Sequence, residues 1–370
     1  MRKLNRGSSS NFIPKGLIGI ERQIAEIKSL LSVSSPKVRI VGIWGMGGMG
    51  KTTLAQVIFN QLSSQFEACC FVANVREESE KGSLINLRNK LLSELLREEN
   101  LNVGTPSLGP TFVKERLERT KVLIVLDDVN HVEQLNFFVG DRDQFSCESR
   151  IVVTTRDAMV LRDIAVDGMY EVEQLHFNES LQLFNSIVFR GNAPDMDYME
   201  LSENVVKHAG GLPLAITVLG KHFRSLRIHN DIHNVFLKSW EMALEKLKIV
   251  PHNDIHNVLR ISYDGLEKEE KDIFLDIACF FKGMRRHFVE KILNGCDFFA
   301  SIGVDILIDK SLITIDPRYN GLQMHDLLQE MGKTIVCQES TELGERSRLW
   351  ITEEACQVLE NNEVSASVFQ

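Results

Sequence analysis

At 370 residues the chain exceeds what one compact core normally holds, so two or three domains are expected. Its composition, 44% hydrophobic and 25% charged, is that of an ordinary globular protein, neither disordered nor fibrous. A formal net charge of −9 and a pI near 5.7 exclude general electrostatic affinity for nucleic acid or anionic membrane, and no apolar run approaches the roughly 18 residues of a membrane segment.

Residues 1–14 read as a basic, polar linker, without the apolar core of a secretory signal. Helical apolar spacing over 24–31 runs into a turn at 32–36. The β-branched run 38–44 reads as a buried parallel strand. It leads directly into Gly45-Met46-Gly47-Gly48-Met49-Gly50-Lys51-Thr52, a complete P-loop, and helical spacing follows over 53–59. Residues 69–75 are expected as a second strand, 84–97 as a helix, and 100–110, with two prolines and two glycines, as a loop. A short helix over 113–117 precedes an apolar strand, 121–126, that ends in Asp127-Asp128. Residues 150–155 form the next strand, ending at Arg156, and 169–172 a short one. Strands alternating with helices imply a parallel sheet with helices on both faces and a ligand at the carboxyl ends of the strands.

Beyond about residue 175 the strand signal fades, and helices are expected over 180–189, 198–209, 214–223, 240–247, 267–282 and 287–293. Two short strands, 312–315 and 322–324, read as a hairpin before a helix over 326–336, which suggests a winged-helix unit. The expected domains are a linker (1–14), a P-loop domain (15–168), a helical bundle (169–258), a winged helix (259–350) and a C-terminal linker (351–370). His-Asn-Asp-Ile-His-Asn-Val occurs twice, at 229–235 and 252–258. Each copy puts two histidines four apart on one helix face, but no third ligand accompanies them, which favours a duplicated solvated segment over a metal site. The seven cysteines, an odd number without a Cys-x-x-Cys pair, read as reduced thiols.

The chemistry concentrates at the strand ends. Glycines at 45, 47, 48 and 50 let successive backbone N–H groups turn toward phosphate oxygens, and the helix N-terminus adds partial positive charge. Lys51 reaches the terminal phosphates, Thr53 follows at the helix start, and the Thr52 hydroxyl with Asp127 can hold Mg2+. Asp128 is placed to orient or weakly activate a water. Hydrolytic motors usually carry the longer glutamate there, so efficient turnover is not expected. Arg156 can sense a γ-phosphate. A second glycine motif, Gly210-Gly211-Leu212-Pro213, lies between helices, with Pro213 at a first helical turn.

Together these segments resemble the NB-ARC module of plant NLR disease-resistance proteins, over roughly residues 13–360. The resemblance rests on Gly-Met-Gly-Gly-Met-Gly-Lys-Thr-Thr at 45–53, Val-Leu-Ile-Val-Leu-Asp-Asp-Val at 122–129 and Ser-Arg-Ile-Val-Val-Thr-Thr-Arg-Asp at 149–157. Gly-Leu-Pro-Leu-Ala at 211–215 and Met-His-Asp at 324–326 complete the family's order. Residues 259–266 and 274–281, and Val129 in place of a tryptophan, look like the subgroup bearing an N-terminal TIR domain. The resemblance implies a switch that holds ADP at rest between the α/β domain and two helical subdomains. It implies ATP and self-association when active, slow hydrolysis at most, and a cytoplasmic or nuclear setting. It places Pro213 near the adenine, His325 at the β-phosphate, and Ile18 and Gly19 in the nucleoside pocket. With no TIR domain or leucine-rich repeats recognised in the chain, NAD cleavage is not expected. The alternatives are a turnover P-loop ATPase, or a truncated, non-signalling remnant that still binds nucleotide.

Overall fold

The computed structural model describes residues 17–98, 111–140, 142–190, 196–228, 233–249 and 252–361. The expected linker 1–14 and the whole of the 100–110 loop lie outside these residues, as do the first four positions of the 229–235 repeat. The chain divides into two compact units. One runs up to Gly45 and resumes over Met49–Glu173; the other takes Met46–Gly48 and the chain from Gln174 onward.

In the first unit the elements are α1 (Glu21–Leu31), β1 (Arg39–Trp44), α2 (Lys51–Leu62), β2 (Ala68–Val72), α3 (Val75–Glu80) and α4 (Leu84–Leu96). There follow α5 (Thr111–Arg119), β3 (Val122–Val129), α6 (Val132–Val139), β4 (Arg150–Thr155), α7 (Ala158–Asp163) and β5 (Gly168–Glu171). The five strands form one parallel sheet in the order β2-β3-β4-β1-β5. Central strands covered on both faces bury every residue of β4 and all of β3 but Asp128, which is why both carry unbroken apolar runs instead of alternation. Trp44 pairs with Thr155 and Thr155 with Val129, so β1, β4 and β3 end level at their carboxyl ends. Gly42 is required by packing: a Cβ there would sit 2.3 Å from Leu161 Cδ1, where α7 crosses β1.

Arg150 is fully buried at the start of β4 and acts as a hub for the end of α1. Its guanidinium donates to the carbonyls of Leu31, Ser32, Ser35 and Lys37 at 2.7–2.8 Å. Carbonyls at a helix end have no intrahelical partner, so a cation there satisfies them and opposes the negative end of the dipole.

Two departures from the sequence reading appear here. The second strand ends at Val72: Asn74 adopts φ +54° and Val75 opens α3, so the apolar Val75 belongs to a helix. Six residues, α3, thus separate from the expected strand and carry Arg76 to the strand ends. Helices α6 and α7 also escaped the pattern, being short pieces of six to eight residues.

The second unit contains α8 (Phe177–Phe189), α9 (Met196–Ala209), α10 (Pro213–Ile228), α11 (His233–Ile249), α12 (Asn253–Asp264) and α13 (Lys268–Asp276). A π-helical turn, Ile277–Phe281, extends α13. Then come α14 (Arg286–Asn294), α15 (Ala300–Asp309), the antiparallel pair β6 (Thr314–Asp316) and β7 (Gly321–Gln323), α16 (Asp326–Glu339) and α17 (Thr352–Glu360). Trp240 centres the bundle core, with its ring 4.9 Å from that of Phe223, 5.3 Å from Tyr198 and 6.2 Å from Phe184. Helix α17 occupies a stretch expected as linker. Among the described residues no helix is long and apolar enough to cross a membrane.

Candidate functional site

The loop after β1 turns on its glycines. Gly45, Gly48 and Gly50 take φ of +143°, +83° and +92°, a region that side chains rarely adopt. Gly50 is the N-cap of α2, which has no capping side chain and no acidic residue in its first turn. Its positive end is therefore not offset by a carboxylate of its own, the arrangement that favours phosphate. Gly47 is buried within the same turn. Inside the second unit the Gly48 carbonyl accepts from the N–H of Leu214 at 3.2 Å.

Lys51 is 8% exposed and donates to the Gly45 carbonyl at 2.6 Å. Burial, reinforced by the positive Arg156, pulls its ammonium down to about 7, although Asp128 and Asp127 oppose the shift. Thr52 and Thr154 donate their hydroxyls to the same oxygen of Asp127, at 2.8 and 2.6 Å. Asp127 is 1% exposed, and burial holds its carboxyl above the usual range despite the two hydrogen bonds. The Thr52 hydroxyl and the Asp127 carboxylate thus form a hard-oxygen pair that fits Mg2+, and Thr53 stands exposed one residue on.

Asp128 sits in the left-handed region, at φ +58°, where the ladder between β3 and β4 shifts register. Its N–H donates to Thr154 Oγ1 at 2.9 Å. The side chain does not face a water site unaccompanied. Oδ2 accepts from Arg76 Nε at 2.9 Å and lies 2.9 Å from its Nη2, and Oδ1 lies 3.5 Å from Arg156 Nε. Burial lowers the Arg156 guanidinium from its ordinary value. Arg76 was missed from sequence, although its position just past the end of β2 follows the same strand-end rule as Asp127 and Arg156.

Elsewhere in the first unit, Ile18 and Gly19 stand just before α1, with Gly19 at φ +74°. In the second unit Pro213 is the first residue of α10. His325 is the N-cap of α16: Nδ1 accepts from Leu327 N–H at 3.1 Å, and Nε2 lies 3.0 Å from the Gly210 carbonyl. Lys282, just after the π-turn, pairs with Asp326 and donates to Gln329, whose amide donates to the Ala278 carbonyl at 2.9 Å. In the second repeat copy His252 caps α12, accepting from Asp254 N–H at 3.3 Å. Among the described residues no group of three or more His, Cys, Asp or Glu side chains is arranged to hold a metal ion.

Residues 20–194 match the NB-ARC domain family, and residues 267–340 match the winged-helix domain of Roq1-like disease resistance proteins. The chain is 43% identical over 355 residues to the TMV resistance protein N of Nicotiana glutinosa, covering 94% of this chain and 30% of that protein. It is 43% identical over 338 residues to the disease resistance protein RUN1 of Vitis rotundifolia, covering 91% of this chain and 25% of that one. The chain therefore spans less than a third of the length of these curated relatives. Among solved structures, the Aeropyrum pernix ORC2 protein, determined as ADPNP–ADP complexes, aligns with a TM-score of 0.50 at 14% identity. That alignment covers 88% of this chain and 96% of the other, a likeness of fold. The P-loop before α2, the Asp-Asp end of β3, the two matched family segments and the similarity to resistance proteins agree: this chain belongs to the NB-ARC family, the nucleotide-binding switch module of plant disease-resistance proteins.

Proposed function

We propose that this chain is an adenine-nucleotide switch, ADP-bound at rest and ATP-bound when active, with slow hydrolysis returning it to rest. The observation that carries the reading is Lys51, a buried ammonium lowered to about 7 at an uncapped helix start. A buried cation beside the positive end of a helix favours a phosphate, whose negative charge stabilises the ammonium and complements the helix dipole. Gly45, Gly47, Gly48, Gly50 and Thr53 would supply backbone N–H groups around it. Thr52 and Asp127 would hold Mg2+, whose charge neutralises phosphate oxygens. Pro213, His325, Ile18 and Gly19 are proposed nucleoside and phosphate contacts by resemblance to the family.

Slow chemistry is favoured over turnover by the state of Asp128. A carboxylate whose oxygens are taken by two guanidinium groups is poorly placed to accept a proton from water. We further propose the boundaries 15–168, 169–258 and 259–350 as nucleotide-binding, bundle and winged-helix parts, self-association in the ATP state, and a cytoplasmic or nuclear setting.

The test is the nucleotide released on denaturing freshly purified protein. ADP near one per chain, lost in Lys51→Ala, supports the switch. Protein that carries no nucleotide and binds neither ADP nor ATP when they are added overturns it. Sustained hydrolysis well above one turnover per minute, slow on the scale of ordinary enzymes at roughly 10 per second, would instead favour a turnover ATPase.

A further inference from the structure

The sheet order sets β3 between β2 and β4: Arg76 follows β2 on α3, Asp128 lies near the end of β3, and Arg156 directly follows β4. Asp128 is the residue that joins them. Its left-handed backbone, φ +58°, is fixed by the N–H bond to Thr154, and it turns the carboxylate so that one oxygen takes Arg76 through a hydrogen bond from Nε and an ion pair with Nη2, and the other faces Arg156. Such a conformation is strained for an L-residue, and aspartate tolerates it better than most. The preceding residue, Asp127, points to Thr52 at the start of α2. Arg76 and Asp128 are each 20% exposed at the side chain and Arg156 19%, so the pair of guanidinium groups is sheltered but reachable. Among these five groups, Lys51, Arg76 and Arg156 against Asp127 and Asp128, one positive charge is in excess when Lys51 is protonated, with the exposed Glu80 at the outer edge of Arg76.

We propose that Arg76 is a second γ-phosphate-reading arginine, and that Asp128 is a positioning residue that holds Arg76 and Arg156 ready for a triphosphate. This rests on the nucleotide-site reading above. A planar guanidinium with its Nε edge committed to a carboxylate has Nη1 hydrogens left over, here 3.7 Å from the exposed Glu80, and a phosphate oxygen can take them in place of that surface contact, which is how an arginine adds selectivity for the charge of a third phosphate. ADP lacks that group, so the arginine pair discriminates between the two nucleotides while leaving ADP affinity alone.

The experiment measures binding of fluorescent mant-ADP and of its non-hydrolysable triphosphate counterpart, mant-AMPPNP, to the full 370-residue chain and to Arg76→Gln, Arg76→Lys and Asp128→Asn. The expected result is a roughly ten- to hundredfold loss for mant-AMPPNP, the range of one charge-assisted hydrogen bond, with mant-ADP changed less than about twofold. Arg76→Lys keeps the cation without the paired geometry and is expected to fall in between. It also serves as the deciding variant should Arg76→Gln fail to fold. A purely structural role would weaken both nucleotides together, and that outcome, or no change in either, overturns the proposal. If the wild-type chain binds both and Lys51→Ala neither, the nucleotide reading stands whatever Arg76 does. If the wild-type chain binds neither, both fall.

Discussion

The imidazole of His325 stands with Nε2 3.0 Å from the carbonyl oxygen of Gly210, and the same glycine could be nothing larger. Gly210 takes φ +58°, and a Cβ on it would lie 2.8 Å from His325 Cε1. The Met-His-Asp and Gly-Gly-Leu-Pro motifs, 115 residues apart, are therefore one contact within the second unit. Gly210→Ala should cost about 2–3 kcal/mol, the sum of left-handed strain and a close approach. Urea unfolding followed by far-UV circular dichroism checks it, and an unchanged midpoint would rule this contact out as a packing constraint.

The hydrogen bonds of His325 also fix its protonation. Nδ1 accepts from Leu327 N–H, so the proton sits on Nε2 and is donated to Gly210, and the ring is neutral. Burial lowers its pKa, against the opposing pull of the Gly210 carbonyl and Asp326. A base with a folded pKa below its unfolded value of about 6.5 contributes stability that is complete above that pH. The contribution is lost as the pH falls toward the lower folded value, because the unfolded chain then binds the extra proton. Melting temperature should fall between pH 7.5 and 5.5 more steeply in the wild type than in His325→Asn, which can still cap α16 but does not titrate. Parallel pH profiles for the two proteins would refute this. Lys282, His208, Asp326 and Glu330 stand nearby in both proteins, so the difference between the two profiles isolates the imidazole.

Arg150 offers a stability prediction in the first unit. Replacing it by Met fills similar volume but strands four carbonyls that now receive its hydrogens. A loss of about 3 kcal/mol or more is expected, since each buried acceptor left without a donor costs 1–3 kcal/mol before water relieves it. Arg150→Lys should recover only part, because one ammonium cannot reach a fan of acceptors as a guanidinium does. Denaturant titration of the three proteins gives the order wild type, Lys, Met, and equal midpoints would show that the hub is dispensable.

The parts of the fold that the sequence announced are those governed by short-range pattern. The unbroken apolar runs of β3 and β4 and the glycine loop before α2 each carry their own signature, and residues 150–155 appear as a strand with the expected limits. What escaped depended on partners distant in the chain. Val75 looks like strand continuation until the αL turn at Asn74 starts a helix. Arg76 gains meaning only when sheet order sets β2 beside β3, and Asp128 looks like a free carboxylate until that arginine reaches it. The buried role of Arg150 is equally non-local, since its acceptors lie more than a hundred residues earlier.

Lys51 makes the last prediction. With the ammonium lowered to about 7, a large share of the chain carries a neutral Lys51 in mildly alkaline solution before any phosphate arrives. A bound polyphosphate favours the charged form and raises that pKa toward the ordinary lysine value, so binding takes up a proton wherever the pH lies between the two. The sign follows: nucleotide affinity should be nearly flat below pH 7 and should then fall with rising pH, by up to tenfold per pH unit, a slope of about 1.4 kcal/mol. Calorimetric titration at pH 8 in two buffers of different ionisation heat should report uptake of a sizeable fraction of one proton per nucleotide. Lys51→Arg, whose guanidinium stays charged throughout, should bind with no such uptake and a flat profile up to pH 9. Proton release on binding, or the same slope in Lys51→Arg, would mean that a different group titrates and that Lys51 is already charged in the free protein.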